Sequence, residues 1–171
     1  MITIRPETAD DYAAIREVNL LAFGREVEAR LVEALRQLPE FIPELSLVAV
    51  EAGRVVGHIL FSPMVIETKE GAVPALTLAP LAVRPEFQNQ GIGSELVRDG
   101  LERCRRLGHE IVVVVGHPEY YPRFGFSPAR ARGLEAPFPV PDEAFLALEL
   151  VPGALDGVAG TVKFPPPFSD T

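Results

Sequence analysis

The chain contains no tryptophan, one cysteine (Cys104) and three scattered histidines, at positions 58, 109 and 117. A lone thiol cannot build an internal disulfide framework, and histidines so spaced give no zinc or iron pattern. No resident metal is expected, and the reducing interior of a cell suits such a sequence. Long apolar runs are also missing: nothing approaches the roughly 20 residues of a membrane span. Met1-Ile2-Thr3-Ile4-Arg5-Pro6 lacks the basic and apolar blocks of an export signal, so a cytoplasmic location without membrane attachment is expected. Positive charge is scarce as well, since 16 Lys and Arg stand against 24 Asp and Glu for a formal charge of −8. That balance argues against a general nucleic-acid partner, which needs a positive surface. It favours a cationic small molecule or peptide instead.

What is present is a chain of 171 residues, 47% hydrophobic with mean hydropathy +0.17. That is enough to bury one core, and residues 1–171 read as a single domain. Residues 2–5 alternate as a short strand. Thr8 and Asp11 mark a helix start, and Tyr12, Ile15, Val18, Asn19 and Ala22 recur on one helical face. After Phe23-Gly24, a second helix carries Val27, Leu31, Ala34, Leu35 and Leu38 until Pro39 stops it. Its early acids, Glu26 and Glu28, read either as solvated helix-face charges or as contacts for an amine.

Residues 45–51 and 54–66 are strand patterns joined at Ala52-Gly53, a two-residue hairpin signal. In the second, Val56, His58 and Leu60 point one way and Val55, Gly57, Ile59 and Phe61 the other. His58 reads as a core histidine or as an acceptor-site group. Residues 73–83 form a fourth strand, in which Pro80 cannot donate a ladder bond and so marks a bulge or break. Ile111–Val115 is β-branched and reads as a strand covered on both faces. Residues 130–143 read as a long Pro-rich loop, 145–151 and 161–164 as the last strands, and Pro165-Pro166-Pro167 as an extended tail.

The stretch with most chemical content is 78–97, where an apolar strand ends at Pro85, turns, and resumes with helical periodicity. Gly91 and Gly93 open that helix, whose first amides have no carbonyl partners and point the same way. Such a turn suits an anion, a diphosphate above all. It is neither G-x-x-x-x-G-K-[ST] nor G-x-G-x-x-G, because no Lys follows the second Gly and position 96 is Leu. Downstream on the helix, Ile92, Leu96, Val97, Gly100, Leu101, Cys104 and Leu107 share one face, which makes Cys104 a packing residue.

Gln88, Gly91 and Gly93 match [QR]-x-x-G-x-[GA], and Tyr120-Tyr121-Pro122-Arg123-Phe124-Gly125-Phe126 matches a Y-x-x-x-G-F ending. In these two ordered motifs the chain resembles the GNAT superfamily of N-acetyltransferases. With Gly57-His58-Ile59-Leu60-Phe61-Ser62-Pro63 and Gly116-His117-Pro118-Glu119, it is similar to the YhbS-like branch over nearly its whole length. The resemblance implies an α/β (α+β) fold. Its central sheet would be mixed, mostly antiparallel and of about seven strands, with helices on both faces and a splay between strands 4 and 5.

It also implies acetyl-CoA as co-substrate, moved directly to a primary amine. Leu81, Ala82 and Val83 would hold the pantetheine, with backbone groups of Leu81 and Val83 in contact. Amides of Gln88, Asn89, Gln90, Gly91, Ile92, Gly93 and Ser94 would surround the diphosphate. Tyr121 matches the tyrosine that protonates the leaving thiolate, although adjacent Tyr120 leaves the register open. Many members carry an Asn and an Ala ahead of that tyrosine, where this chain has Gly116-His117-Pro118-Glu119. His117 then stands as a substitute contact or as the base, beside a base acting through a water chain. A longer acyl donor, or a non-catalytic acyl-CoA sensor or partner-binding module, is the alternative reading. Exposed final strands suit a homodimer.

Overall fold

The computed structural model describes residues 1–170, which form an α/β fold of two compact units. The first comprises residues 1–62, 79–103 and the segment from Pro166; the second comprises residues 63–78 and 104–165. Two long strands, β3 (Arg54–Thr68) and β4 (Gly71–Val83), contribute to both.

In the first unit β1 (Thr3–Pro6) pairs antiparallel with β2 (Ser46–Glu51), and β2 with β3. Ala52 and Gly53 take φ of 50° and 77°, the left-handed pair that a tight hairpin requires. The ladder then slips: Ala49 faces Gly57 but Val50 faces Val55, so Val56 is an extra residue in β3. This bulge corrects the alternation expected from sequence. Val55 joins Val48 and Leu60 in a core with Ile15 and Val18 of α1 (Tyr12–Phe23) and with Leu31, Val32 and Leu35 of α2 (Val27–Arg36). A Cβ on Gly57 would lie 3.0 Å from Leu96 and 3.4 Å from Ile92 of α3 (Ile92–Arg106), so the missing side chain lets that helix approach β3.

Tyr12 departs from the expected buried face: it is 41% exposed and lies under the Arg36 guanidinium, 3.8 Å from its ring centre. Ala34 is exposed as well. The proline-rich end is a 3-10 turn (Pro166–Asp170) rather than an extended tail, and Phe168 packs against the first unit's core.

The second unit carries the parallel rungs of β4 with β5 (Ile111–Val115), at Leu76–Val112 and Thr77–Val113. Beyond them β4 runs on to Val83 and into the first unit, continuous through Pro80, whose bond to Ala79 is cis. β5 pairs antiparallel with β8 (Phe145–Glu149), which also pairs with β6 (Ser127–Pro128). The Pro-rich region is more structured than expected. Leu134–Glu135 forms β7, parallel to β9 (Gly160–Lys163), and β9 extends β3. Arg130 clasps that region from one end, reaching Glu135 and Asp142 at 2.7 Å each and the Val140 carbonyl at 2.6 Å. The sheet therefore holds nine strands among the described residues, against about seven expected; β6 follows Phe126, where a strand was expected to begin, and β7, two residues long, falls inside the region read as a loop. Leu107 is 49% exposed, outside α3, where Gly108 (φ 91°) ends the helix.

Candidate active site

The loop between β4 and α3, the candidate anion site, assembles from short-range signals alone. Pro85 opens a 3-10 turn (Pro85–Phe87) in which the Phe87 amide donates to the Arg84 carbonyl at 2.8 Å. Gln88 is extended, Asn89 takes φ 64° and Gly91 φ 86°. Asn tolerates the left-handed region; at Gly91 a Cβ would meet nothing within 4 Å, so conformation and not space selects glycine there. The first α-helical bond of α3 runs from the Glu95 amide to the Gly91 carbonyl at 3.0 Å. The amides of Gly91, Ile92 and Gly93 therefore precede that first helical bond and stand at the positive end of the helix.

Two side chains brace the loop from inside. Gln88 Nε2 donates to the Val83 carbonyl at 2.9 Å and Gln90 Nε2 to the Glu86 carbonyl at 3.4 Å. Gln88 through Gly91 are exposed, Gly93 and Ser94 half-buried, and Ile92 is the buried anchor of the helix start. A helix start free of side-chain bulk at Gly91 and Gly93, with their amides at its positive end, fits a diphosphate. Upstream, Leu81 and Val83 are half-buried while Ala82 is buried against the α1–α2 core. All ten residues expected to hold a cofactor thus lie in the first unit.

Tyr121 and His117 lie in the second. The His117 carbonyl accepts from the Tyr120 amide at 3.1 Å and the Tyr121 amide at 3.4 Å, closing the turn that leads into the 3-10 helix Tyr121–Phe124. The His117 side chain is exposed. Tyr121 is 7% exposed, its ring edge-on to Tyr120 at 5.1 Å and to Phe126 at 5.6 Å. A Cβ at position 116 would sit 2.5 Å from Tyr121 Cε2, so Gly116 is the complement of that ring. Burial, with Tyr120 beside it, pushes the Tyr121 phenol well above its ordinary pKa, which keeps its proton in place at neutral pH.

His58 is resolved as a core histidine. It is fully buried, with Nε2 3.0 Å from Ser46 Oγ and Nδ1 3.4 Å from Asn19 Nδ2. Asn19 Nδ2 also donates to the Ile15 carbonyl at 3.0 Å, which identifies it as the nitrogen and makes His58 Nδ1 the acceptor. The imidazole proton then sits on Nε2 and is donated to Ser46. Ser46 donates to Glu7 Oε1 at 2.6 Å, and Arg36 grips Glu7 with two bonds of 2.9 Å. Burial and the Arg36 charge hold the His58 pKa down to about 3, so the ring is neutral. The order is unlike a nucleophilic triad, in which the serine proton would go to the histidine.

Glu26 and Glu28 are taken up by arginines: Arg30 reaches Glu26 at 2.5 Å and Arg25 reaches Glu28 at 2.5 Å. Burial pushes the Cys104 thiol up to about 12, the state of an inert packing residue. Among the described residues no group of three His, Cys, Asp or Glu could hold a metal ion. Arg84 escaped the sequence reading. It is 4% exposed, and its Nε donates to the Val55 carbonyl at 2.8 Å, beside the bulge. A basic residue isolated inside an apolar strand end was the signal available for it.

Comparison with known proteins bears on the family and the fold. Residues 3–129 match the family described as acetyltransferase (GNAT) domain. An uncharacterized N-acetyltransferase of Escherichia coli, YjhQ, is 45% identical over 134 residues, 78% of this chain and 74% of that protein. The crystal structure of YhbS from Escherichia coli in complex with CoA superposes with a TM-score of 0.90 at 32% identity, covering 98% of this chain and 92% of that one. A GNAT family acetyltransferase from Brucella melitensis in complex with acetyl-CoA superposes at 0.81, with 34% identity and 98% of both chains covered.

Proposed function

Because the chain belongs to the GNAT acetyltransferase family, we propose that residues 1–171 act as one cytoplasmic domain that moves an acetyl group from acetyl-CoA directly to a primary amine. The acceptor is a small molecule or a peptide, and the surplus of acidic residues favours a cationic one. The observation that carries this reading is the glycine-opened start of α3, where the amides of Gly91, Ile92 and Gly93 stand ahead of the first helical bond, Glu95 amide to Gly91 carbonyl.

Bound acetyl-CoA supplies the activated thioester. The protein's part is to grip, orient and move protons. Amides of Gln88 through Ser94 receive the diphosphate, and Leu81, Ala82 and Val83 guide the pantetheine. One lone pair of the Val83 carbonyl already serves Gln88, which leaves the other for the cofactor. Tyr121, held protonated by burial, gives a proton to the departing thiolate. His117, exposed on its turn, takes the proton of the attacking ammonium.

The reading is tested by incubating the protein with acetyl-CoA and a panel of amines and following free thiol. Amine-dependent thiol release supports it. Tight acetyl-CoA binding with no release from any amine points to an acyl-CoA sensor, and release only from longer acyl thioesters points to a different donor. Absence of both binding and release overturns the assignment.

A further inference from the structure

The second unit holds two adjacent tyrosines and gives them different surroundings. Tyr121 opens the 3-10 helix Tyr121–Phe124 and is buried, whereas Tyr120, its N-cap, is half-buried. The slot around the Tyr121 ring has walls of two kinds. Phe126 stands edge-on to it, and Gly116 fits so closely that a Cβ there would meet the ring. Both belong to the framework: Phe126 is buried, and the Gly116 amide donates to the Ala144 carbonyl at 2.9 Å. A third wall is the Tyr120 ring, edge-on at 5.1 Å. That wall follows His117, Pro118 and Glu119, three exposed residues.

Arg123 clamps the third wall. In a 3-10 helix, side chains three residues apart nearly eclipse, so position 123 stands over position 120. The Arg123 Nε donates to the Tyr120 carbonyl at 3.0 Å, and its guanidinium carbon lies 4.7 Å from the centre of the Tyr120 ring. One exposed side chain thus holds both the backbone and the ring of residue 120. Phe124 meets the same ring at 5.2 Å. A hydrogen bond and an exposed cation–π contact are each a modest force, but here both act on a single ring.

We propose that Arg123 is a positioning residue for the Tyr121 phenol, acting through Tyr120. This rests on the reading of Tyr121 as the acid that protonates the departing thiolate. Proton delivery depends on where the phenol oxygen sits, so a displacement on the order of 1 Å costs rate and leaves cofactor affinity alone. The proposal also divides the tyrosine pair: Tyr121 delivers the proton, and Tyr120 is the wall that aims it.

The test is a double-mutant cycle on the full chain. Turnover is read as free thiol released from acetyl-CoA with spermidine or a lysine-containing peptide, whichever wild type uses faster, and acetyl-CoA affinity by calorimetric titration. Arg123→Met keeps the aliphatic stem and removes the guanidinium, so it is expected to lower kcat by about fivefold with affinity within twofold. In a Tyr121→Phe background the same substitution is expected to change kcat by less than about twofold, because the group being aimed is gone. If Arg123→Met does not fold, Arg123→Gln read in the same two backgrounds decides. An equal loss in both backgrounds, no loss in either, or a loss of acetyl-CoA affinity to match overturns the proposal while acetyl transfer stands. Unchanged turnover in Tyr121→Phe alone removes the acid role and this proposal with it. A wild-type protein that releases thiol with neither amine overturns both the proposal and transfer to a cationic acceptor.

Discussion

Ser46→Ala cuts the buried chain Asn19–His58–Ser46–Glu7–Arg36 at its middle. The substitution removes one oxygen and leaves the fully buried His58 Nε2–H without an acceptor, and Glu7 Oε1 with only its Arg36 bond. An orphaned buried donor costs about 1–3 kcal/mol and a lost bond to a charged group about 1.5–3 kcal/mol; the two overlap, so the expected loss is roughly 3 kcal/mol. Equilibrium urea unfolding at pH 7 measures it. The double variant Ser46→Ala/His58→Leu removes both partners and is expected to cost less than the sum of the singles by about 1 kcal/mol or more.

The same residue sets a pH dependence. With His58 held down to about 3 in the fold and near about 6.5 in the unfolded chain, the unfolded state binds the extra proton throughout that window. Stability therefore falls as pH falls below about 6.5, by about 1.4 kcal/mol per unit, or about 2 kcal/mol by pH 5. His58→Leu loses that slope. A Ser46→Ala variant within about 0.5 kcal/mol of wild type, or equal slopes with and without His58, refutes the network as described.

Tyr121→Phe is expected to lower turnover by about 10²-fold or more while leaving acetyl-CoA affinity within twofold, because only proton delivery is lost; unchanged turnover removes the acid role. Gly100→Ala places a Cβ against the Phe61 ring, so it is expected to destabilise by roughly 1–2 kcal/mol in thermal unfolding despite the gain in helix propensity. A more stable Gly100→Ala protein contradicts that packing. Cys104, buried and held protonated, is expected to resist thiol reagents in the native protein and to react once it is unfolded, and rapid native labelling contradicts its placement.

The loop between β4 and α3 was legible because its signals are local: Pro85 starts a turn, Gly91 takes a left-handed angle, and Gly108 ends the helix. The α1–α2 and β2–β3 hairpins follow from spacing for the same reason. What escaped depends on distant partners. One extra residue at Val56 moved Val55 across the sheet, a slip that alternation within a single strand cannot register. Tyr12 satisfies helical periodicity yet lies outward because Arg36, 24 positions on, covers its ring. His58 and Arg84 each drew meaning only from residues brought in by other elements: Ser46 and Asn19 for the first, Val55 and Glu17 for the second. The two-residue strand β7 was too short to show a period at all.

The most direct test of the central claim is a crystal structure of this chain grown with CoA. The diphosphate should lie within hydrogen-bond reach of the amides from Gly91 to Ser94, with the pantetheine running beside Leu81–Val83. CoA bound elsewhere, or a diphosphate out of reach of those amides, would contradict the account.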